Sequence, residues 1–185
     1  MDEARLEHVT HGLAPVTEGW FVLNAADAQW THHPDFGWVC PFEANGPVVR
    51  QRDDLEPVTF PQLGVNLLVL TNGTGGLYHR EDQQEDFLVV RGECLLLVEG
   101  EERPLEQWDL FHSPPGTEHV LVGTSDEPCL VLRVGIRLGY PGLFYPRADV
   151  AVRHGAAAEQ ETSSGAEAYA SRGHWQPAER PAGIP

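Results

Sequence analysis

Apolar residues in the middle of this chain come in short runs, each followed by residues that favour turns. No helical pattern of ten residues separates one run from the next, so the series predicts strands joined by tight turns. Regular short strands punctuated by glycine are typical of an antiparallel sandwich or barrel, and the predicted fold class is all-β. The runs cover residues 65–70, 87–90, 94–98, 120–122 and 129–134, with Gly73, Gly92, Gly100, Gly123 and Gly135 in the turns.

The core of the predicted barrel spans about residues 58–135, and the segment before it is expected to pack on this core. Within residues 1–57 we expect extra strands and loops that pack on the barrel, with one strand at 21–23. The stretch 33–47 is rich in proline and glycine and is expected to form an irregular cover.

The C-terminal part has a different composition. From residue 151 the chain is rich in Ala, Glu and Ser, and Ser164 with Glu167 has the form of a capping box that opens a short helix. The predicted organisation is one domain over residues 1–150, followed by a tail over 151–185 that contains a short helix and is not a separate domain.

Acidic residues outnumber basic ones by 28 to 12, and the formal net charge is −16. Such a charge repels phosphate backbones, so a nucleic-acid partner is not expected. All 12 basic residues are arginine, which excludes a lysine Schiff base, lysine-bound pyridoxal phosphate and a P-loop lysine. No apolar run approaches the ~18–20 residues of a membrane-spanning helix. The sequence therefore predicts a soluble, cytoplasmic protein without a membrane partner.

Candidate metal ligands lie in two places along the chain. His79, Glu81 and Glu85 fall within seven residues, between two glycine turns. Side chains alternate along a strand, so His79 and Glu81 share a face, which Glu85 also shares if the intervening bend preserves the parity. His119 follows a Pro-Pro-Gly turn at 114–116 and starts another apolar strand. If the two strands are neighbours, two imidazoles and two carboxylates converge, a set that suits first-row transition metals better than Mg or Ca.

These two stretches resemble the signature motifs of the cupin superfamily, G-x5-H-x-H-x3,4-E-x6-G and G-x5-P-x-G-x2-H-x3-N. The resemblance covers roughly residues 65–135, and the flanks are similar to bacterial cupin-domain proteins of unassigned function. Three positions depart from the motifs: Glu81 replaces the second histidine, Trp108 the first glycine of the second motif, and Gly123 its asparagine. The matching positions are Gly73, His79, Glu85 and Gly92 in the first motif and Pro114, Gly116 and His119 in the second.

The resemblance implies a double-stranded β-helix, or jelly-roll barrel, with one divalent metal ion in its mouth. Its ligands would be His79, Glu81, Glu85 and His119, and the ion Fe, Mn, Ni or Zn. The carboxylate of Glu81 hardens the donor set, which favours Zn, Mn or Fe over Cu. A homodimer is also expected, because exposed sheet edges need covering.

Two functions from different classes fit these features. The first is a metal-dependent enzyme that acts on a small polar molecule as an isomerase, lyase or dioxygenase, with Glu81 as a ligand or as a catalytic acid or base. The second is a non-catalytic cupin that binds a metal or a small molecule as a sensor or storage module. An open coordination position on the ion would indicate the enzyme.

Other polar residues have simpler explanations. His112 is expected to be structural, whereas His32 and His33 lie on a proline-flanked loop and are expected to be exposed. Tyr78 and Gln84 fit either a contact with the metal ligands or a surface position. The three cysteines form no CxxC pair and are expected to pack in the core.

Overall fold

The computed structural model describes residues 2–44, 56–139 and 142–184 of the chain, and it is mostly β. This confirms the all-β fold class. The helices and strands in these ranges are β1 (Leu6–His8), β2 (Leu13–Pro15), β3 (Trp30–His33), β4 (Gly37–Cys40), β5 (Leu63–Leu70), β6 (Glu85–Arg91), β7 (Cys94–Val98), β8 (Glu101–Leu105), β9 (Leu110–Ser113), β10 (His119–Val122), β11 (Cys129–Ile136), α1 (Asp149–Arg153), α2 (Gly165–Ala168) and β12 (Gln176–Ala178).

The strands form antiparallel sheets around a shared apolar core. The larger sheet has the order β12-β3-β4-β5-β11-β6-β9, a smaller one the order β10-β7-β8, and β1 pairs with β2. Leu70 and Val89 of the larger sheet pack in one buried cluster with Leu96 and Leu121 of the smaller sheet. Alternation of inward and outward side chains along each strand therefore closes the core between the two sheets. The homodimer stays a prediction.

The five apolar runs are all strands, and the main errors of the sequence analysis lie before them. Residues 21–23 form no strand: Phe21 stacks on Phe60, and Val22 is 83% exposed. The stretch 33–47 is not simply irregular, because β3 and β4 form a hairpin whose second strand pairs with β5. Its last part, 45–47, lies outside the described residues. Proline and glycine here lie in or next to the turns of the hairpin. Because its strands are short, these turn residues dominate the local sequence, and the strands were not predicted.

The C-terminal part packs on both sheets. Ser164 caps α2 by accepting a hydrogen bond from the backbone N–H of Glu167, as the capping box predicts. The short helix α1 buries Val150 and Ala151 against the smaller sheet, and β12 adds to the edge of the larger one. Helix α1 spans the predicted boundary at residue 150, and the domain limits stay a prediction. Within the described ranges, no helix is long and apolar enough to cross a membrane.

The three cysteines are buried and free, as expected from their apolar surroundings. Burial raises the pKa of the Cys40 thiol to about 12, which keeps it protonated and unreactive at neutral pH. Cys94 and Cys129 pack in the same core cluster between the sheets.

Trp108 holds a backbone conformation that favours glycine. Its φ is 78°, and its side chain is 67% exposed, so little packing compensates for the strain. We expect Trp108→Gly to stabilise the protein by about 0.5–1 kcal/mol, because relief of the strain outweighs the greater freedom of the unfolded chain. Leu110→Gly is the control, since Leu110 is also exposed but lies in an unstrained strand, where glycine should destabilise. Urea unfolding of both variants tests this; equal destabilisation by both would contradict it.

Candidate metal centre

His79 and His119 lie directly opposite each other on neighbouring extended segments. The backbone N–H of His79 donates to the carbonyl of His119 at 3.1 Å, and the N–H of His119 donates to the carbonyl of His79 at 2.8 Å. Residues paired in this way place their side chains on the same face of a sheet. The two imidazole rings are accordingly 5.1 Å apart between centroids.

Glu85, the first residue of β6, brings a carboxylate to the same point. Its Oε2 lies 3.3 Å from Nε2 of His119 and 3.7 Å from Nε2 of His79. Burial alone would raise the pKa of Glu85, but contacts with His119 and His79 hold it well below its usual range. Glu85 is therefore ionised at neutral pH.

Backbone carbonyls orient both imidazoles. Nδ1 of His79 lies 2.8 Å from the carbonyl of Leu77, and Nδ1 of His119 lies 3.0 Å from the carbonyl of Thr117. A carbonyl only accepts, so each Nδ1 carries the proton and each Nε2 offers a lone pair. This arrangement is the one that metal-binding histidines require. Ser113 adds a hydroxyl 3.2 Å from Nδ1 of His119.

The three donor atoms fit a metal ion. Oε2 of Glu85 and Nε2 of His119 are buried with no hydrogen-bond partner among the described residues, which is costly unless a further group satisfies them. Ligand atoms that each lie about 2.1 Å from one ion are about 3–3.5 Å apart, close to the separations in this group. Together with Nε2 of His79, all three atoms lie within 4.8 Å of one another.

Glu81 is near this group but not part of it. Its carboxylate is not among the three donors that converge, although it lines the cavity that opens beside them. Burial and then repulsion by Glu85 raise the pKa of Glu81 to about 7. The predicted role of Glu81 as a fourth ligand stays a prediction, and its position also suits proton transfer.

The raised pKa of Glu81 predicts how the stability of the metal-free protein changes with pH. The folded state keeps a proton that the unfolded chain releases, so this contribution is complete below the ordinary pKa of 4.5 and is lost as the pH rises through about 7. In chelator-treated protein, Glu81→Gln should therefore raise the melting temperature by about 2–4 °C above neutral pH and by little near pH 4.5. The exposed Glu106→Gln is the control. Melting curves across this pH range provide the measurement, and a constant difference between Glu81→Gln and wild type would contradict it.

A cavity of about 410 Å³ adjoins the donors, and three neighbouring strands form its floor. On β11, Arg133 and Gly135 point to the same face because they are two residues apart. Gly135 pairs with Gly64 of β5 on one side and with Glu85 of β6 on the other. A Cβ atom at Gly135 would lie 3.4 Å from the carboxylate of Glu85, so glycine keeps space open beside this ligand. The volume suits a small molecule.

Two tyrosines from the C-terminal part complete the cavity wall. The ring of Tyr145 is 5.7 Å from that of His79 and 5.9 Å from that of Tyr169. Burial, and then the neighbouring Tyr169, raise the pKa of Tyr145, so its hydroxyl stays protonated. No pattern in the sequence indicates the two tyrosines, because their places depend on how the tail packs against the sheets. Arg133 was also not predicted, although it is a charged residue within the apolar run of β11.

His33 and His112 lie in different environments. His33 is 1% exposed and not at the surface as expected, because β3 places its ring between Phe36 and Trp175. His112 has the expected structural role and contacts Asp86 at 2.6 Å between Nδ1 and Oδ1.

Of the two residues with open interpretations, Tyr78 is fully buried and Gln84 is paired with a neighbour. The hydroxyl of Tyr78 accepts a hydrogen bond from the backbone N–H of Gly100. The amide of Gln84 donates to the carboxylate of Asp86. Neither makes a hydrogen bond to His79, Glu85 or His119 in the described part of the chain.

Residues 66–135 match the family model of the cupin domain, and this stretch includes all three converging donors. The chain carries a cupin domain. The match confirms the resemblance of the two motifs. No curated protein matches the chain.

Several solved structures are similar to the cupin domain. A sugar phosphate isomerase of the cupin superfamily from Silicibacter pomeroyi is 25% identical over 68% of this chain and 69% of its own, with a TM-score of 0.47. The DMSP lyase of Ruegeria pomeroyi is 21% identical over 50% and 47%, with a TM-score of 0.42. A protein of Acidithiobacillus ferrooxidans is 24% identical with a TM-score of 0.41, and the aligned part spans 42% of this chain and about half, 51%, of that protein. The chemistry of the site follows from its own residues.

One departure from the cupin motifs has a direct steric cause. At Gly123, a Cβ atom would lie 2.0 Å from the carbonyl oxygen of Thr71, so the usual asparagine does not fit. Gly92 keeps its motif position with a φ of 80°, the left-handed conformation that glycine adopts readily.

Proposed function

We propose that this protein binds one divalent transition-metal ion through His79, Glu85 and His119 and uses it to act on a small polar molecule. The proposal rests on the convergence of three donor atoms, two of which are buried without a hydrogen-bond partner. Two imidazole nitrogens and one carboxylate oxygen suit Zn, Mn or Fe, and also Ni.

Catalysis is favoured over a purely structural ion because three protein ligands leave coordination positions open. Structural zinc sites are closed by four protein ligands, whereas catalytic sites keep a position for water or substrate. The donors adjoin a cavity large enough for a small molecule. This juxtaposition favours an enzyme over a storage module.

The residues around the cavity supply the other parts of a reaction. When bound, the ion would polarise a carbonyl or hydroxyl oxygen or activate dioxygen. Glu81 would accept or return a proton at its carboxylate, because it lines the cavity beside the three donors. Tyr145 keeps its phenolic proton and lines the cavity, where its ring and hydroxyl can contact the bound molecule. We infer an isomerase, lyase or dioxygenase, with substrate and metal as its partners.

Metal analysis followed by a screen of small metabolites tests this function. Purified or reconstituted protein should contain about one metal ion per chain, and at least one metabolite should be converted by the loaded protein only. Glu81→Gln should lower the turnover of that metabolite at least about a hundredfold while the metal content is retained. A loaded protein that binds a metabolite without converting it would instead support the non-catalytic alternative, and the lack of stoichiometric metal would contradict the proposal.

A further inference from the structure

Arginines outside the cavity already have partners that account for them. Most of those in the described part of the chain form an ion pair with a carboxylate, and the others donate to backbone carbonyls. This is expected in a chain with 28 acidic residues and 12 arginines. The ion pairs are Arg5 with Glu7, Arg80 with Glu118, Arg103 with Glu101, Arg153 with Glu102 and Arg172 with Asp35, and the carbonyl contacts belong to Arg91, Arg147 and Arg180.

Arg133 differs from all of these. It lines the cavity, and its Nε donates to Oδ1 of Asn66, a neutral amide, at 3.1 Å. No carboxylate in the described ranges forms an ion pair with it within 4 Å. The pairing of Arg133 with Asn66 across β11 and β5 fixes the side chain at the cavity floor.

Arg137 shows what a structural arginine looks like in the same place. It directly follows the last residue of β11, and its Nη1 contacts both carboxylate oxygens of Glu43, at 2.6 and 2.9 Å. Glu43 is 1% exposed, so the charge of Arg137 is paired with a buried carboxylate. Arg133 has no such contact: Glu81 and Glu85 act on its charge only from a distance, and its guanidinium hydrogen-bonds to the neutral amide of Asn66.

The charges of the site point to an anionic ligand. Of the two arginines that line the cavity among the described residues, Arg137 is held by Glu43, whereas Arg133 has no carboxylate in contact with it. We propose that Arg133 binds a carboxylate group of the substrate, so that the protein acts on a small monocarboxylate whose other polar group reaches the metal. This inference rests on the proposed function.

A carboxylate fits this place better than a phosphate. One guanidinium can form two parallel hydrogen bonds with a planar carboxylate. A phosphate dianion carries a second charge, and the only other arginine that lines the cavity, in the described part of the chain, is already paired with Glu43. The choice of a monocarboxylate follows from the single cavity guanidinium that has no carboxylate in contact.

Calorimetric titration of the metal-loaded full chain tests the proposal with matched probes. Glycolate, lactate and 3-hydroxypropionate are compared with the amide of each acid and with methyl phosphate. At least one carboxylate should bind about tenfold or more tightly than its amide, because the amide lacks the charge that Arg133 meets. In Arg133→Gln the same carboxylate should bind as weakly as its amide.

Two further variants separate the binding role from folding and from net charge. Arg103→Gln removes an equal charge from an exposed position on β8 and should bind the probes like wild type. Arg133→Lys keeps the charge without the planar fork and should lie between wild type and Arg133→Gln. Unchanged carboxylate affinity in Arg133→Gln, equal binding of acid and amide, or preference for methyl phosphate would each overturn the proposal.

Metal content measured in the same samples separates this inference from the function on which it rests. Arg133→Gln should retain full metal content, since the residue is not one of the three converging donors. Full metal content without carboxylate binding in wild type would overturn the role of Arg133 alone. Absence of metal from wild type would contradict the proposed function, whereas carboxylate binding that still depends on Arg133 would support the anion site by itself.

Discussion

Replacing His119 by alanine should abolish stoichiometric metal binding and leave a folded protein. His119 is 2% exposed, and its Nε2 is one of only three donor atoms that converge in the described part of the chain. Loss of a residue that merely orients a ligand reduces metal affinity about 10–100-fold, so loss of the ligand itself should reduce it at least about a hundredfold. Metal analysis after dialysis, with circular dichroism to confirm folding, provides the measurement.

His112→Ala is the matched control for this variant. It removes the same side chain from the neighbouring strand β9, where His112 is paired with Asp86 and does not face the donors. His112→Ala should retain full metal content. Full metal content in both variants would show that the ion is bound elsewhere.

Chelation of the metal should lower the melting temperature near pH 7.5 by about 5–10 °C. A ligand that binds only the folded state at a hundred times its dissociation constant adds about 2.7 kcal/mol of stability. For a chain of this length, each kcal/mol corresponds to about 2–4 °C. Differential scanning calorimetry of loaded and chelator-treated samples tests the effect.

Near pH 4.5 chelation should have little effect, because protons replace the ion. An imidazole in water has a pKa of about 6.5, and both histidine ligands must be neutral to bind a metal. Burial alone would raise the pKa of Glu85, but contacts with His119 and His79 hold it below its usual range, so protons do not compete with the ion at this carboxylate. A melting temperature that chelator leaves unchanged near pH 7.5, in a sample shown to contain metal, would contradict binding at this site.

The sequence predicted the strands that carry their own pattern and missed those that depend on a partner. Residues 94–98 are apolar and bounded by glycine turns, and they form β7 as predicted. In contrast, β8 is almost wholly exposed, is rich in charge and contains Pro104. It is a strand because it pairs with β7 at the edge of the smaller sheet, and no pattern within its own residues indicates this.

The site was predictable to a similar degree. Spaced motifs identified His79, Glu85 and His119, since ligands to one ion on neighbouring strands must keep a fixed parity and spacing. Tyr145 and Tyr169 could not be found in this way, because they reach the cavity only when the C-terminal part of the chain packs back against the sheets. Arg133 was identifiable in principle, as an arginine inside an apolar strand needs a polar partner or a function.

The carbonyl that orients each imidazole belongs to the residue two positions earlier, at Leu77 for His79 and at Thr117 for His119. Every amino acid has such a carbonyl, so the tautomer of each ligand is independent of which side chains occupy positions 77 and 117. Substitution there during evolution can alter packing and preserve the ligand's orientation. A one-residue insertion between carbonyl and ring would rotate the donor away from the centre, so tolerance to replacement is combined with intolerance to changes in length.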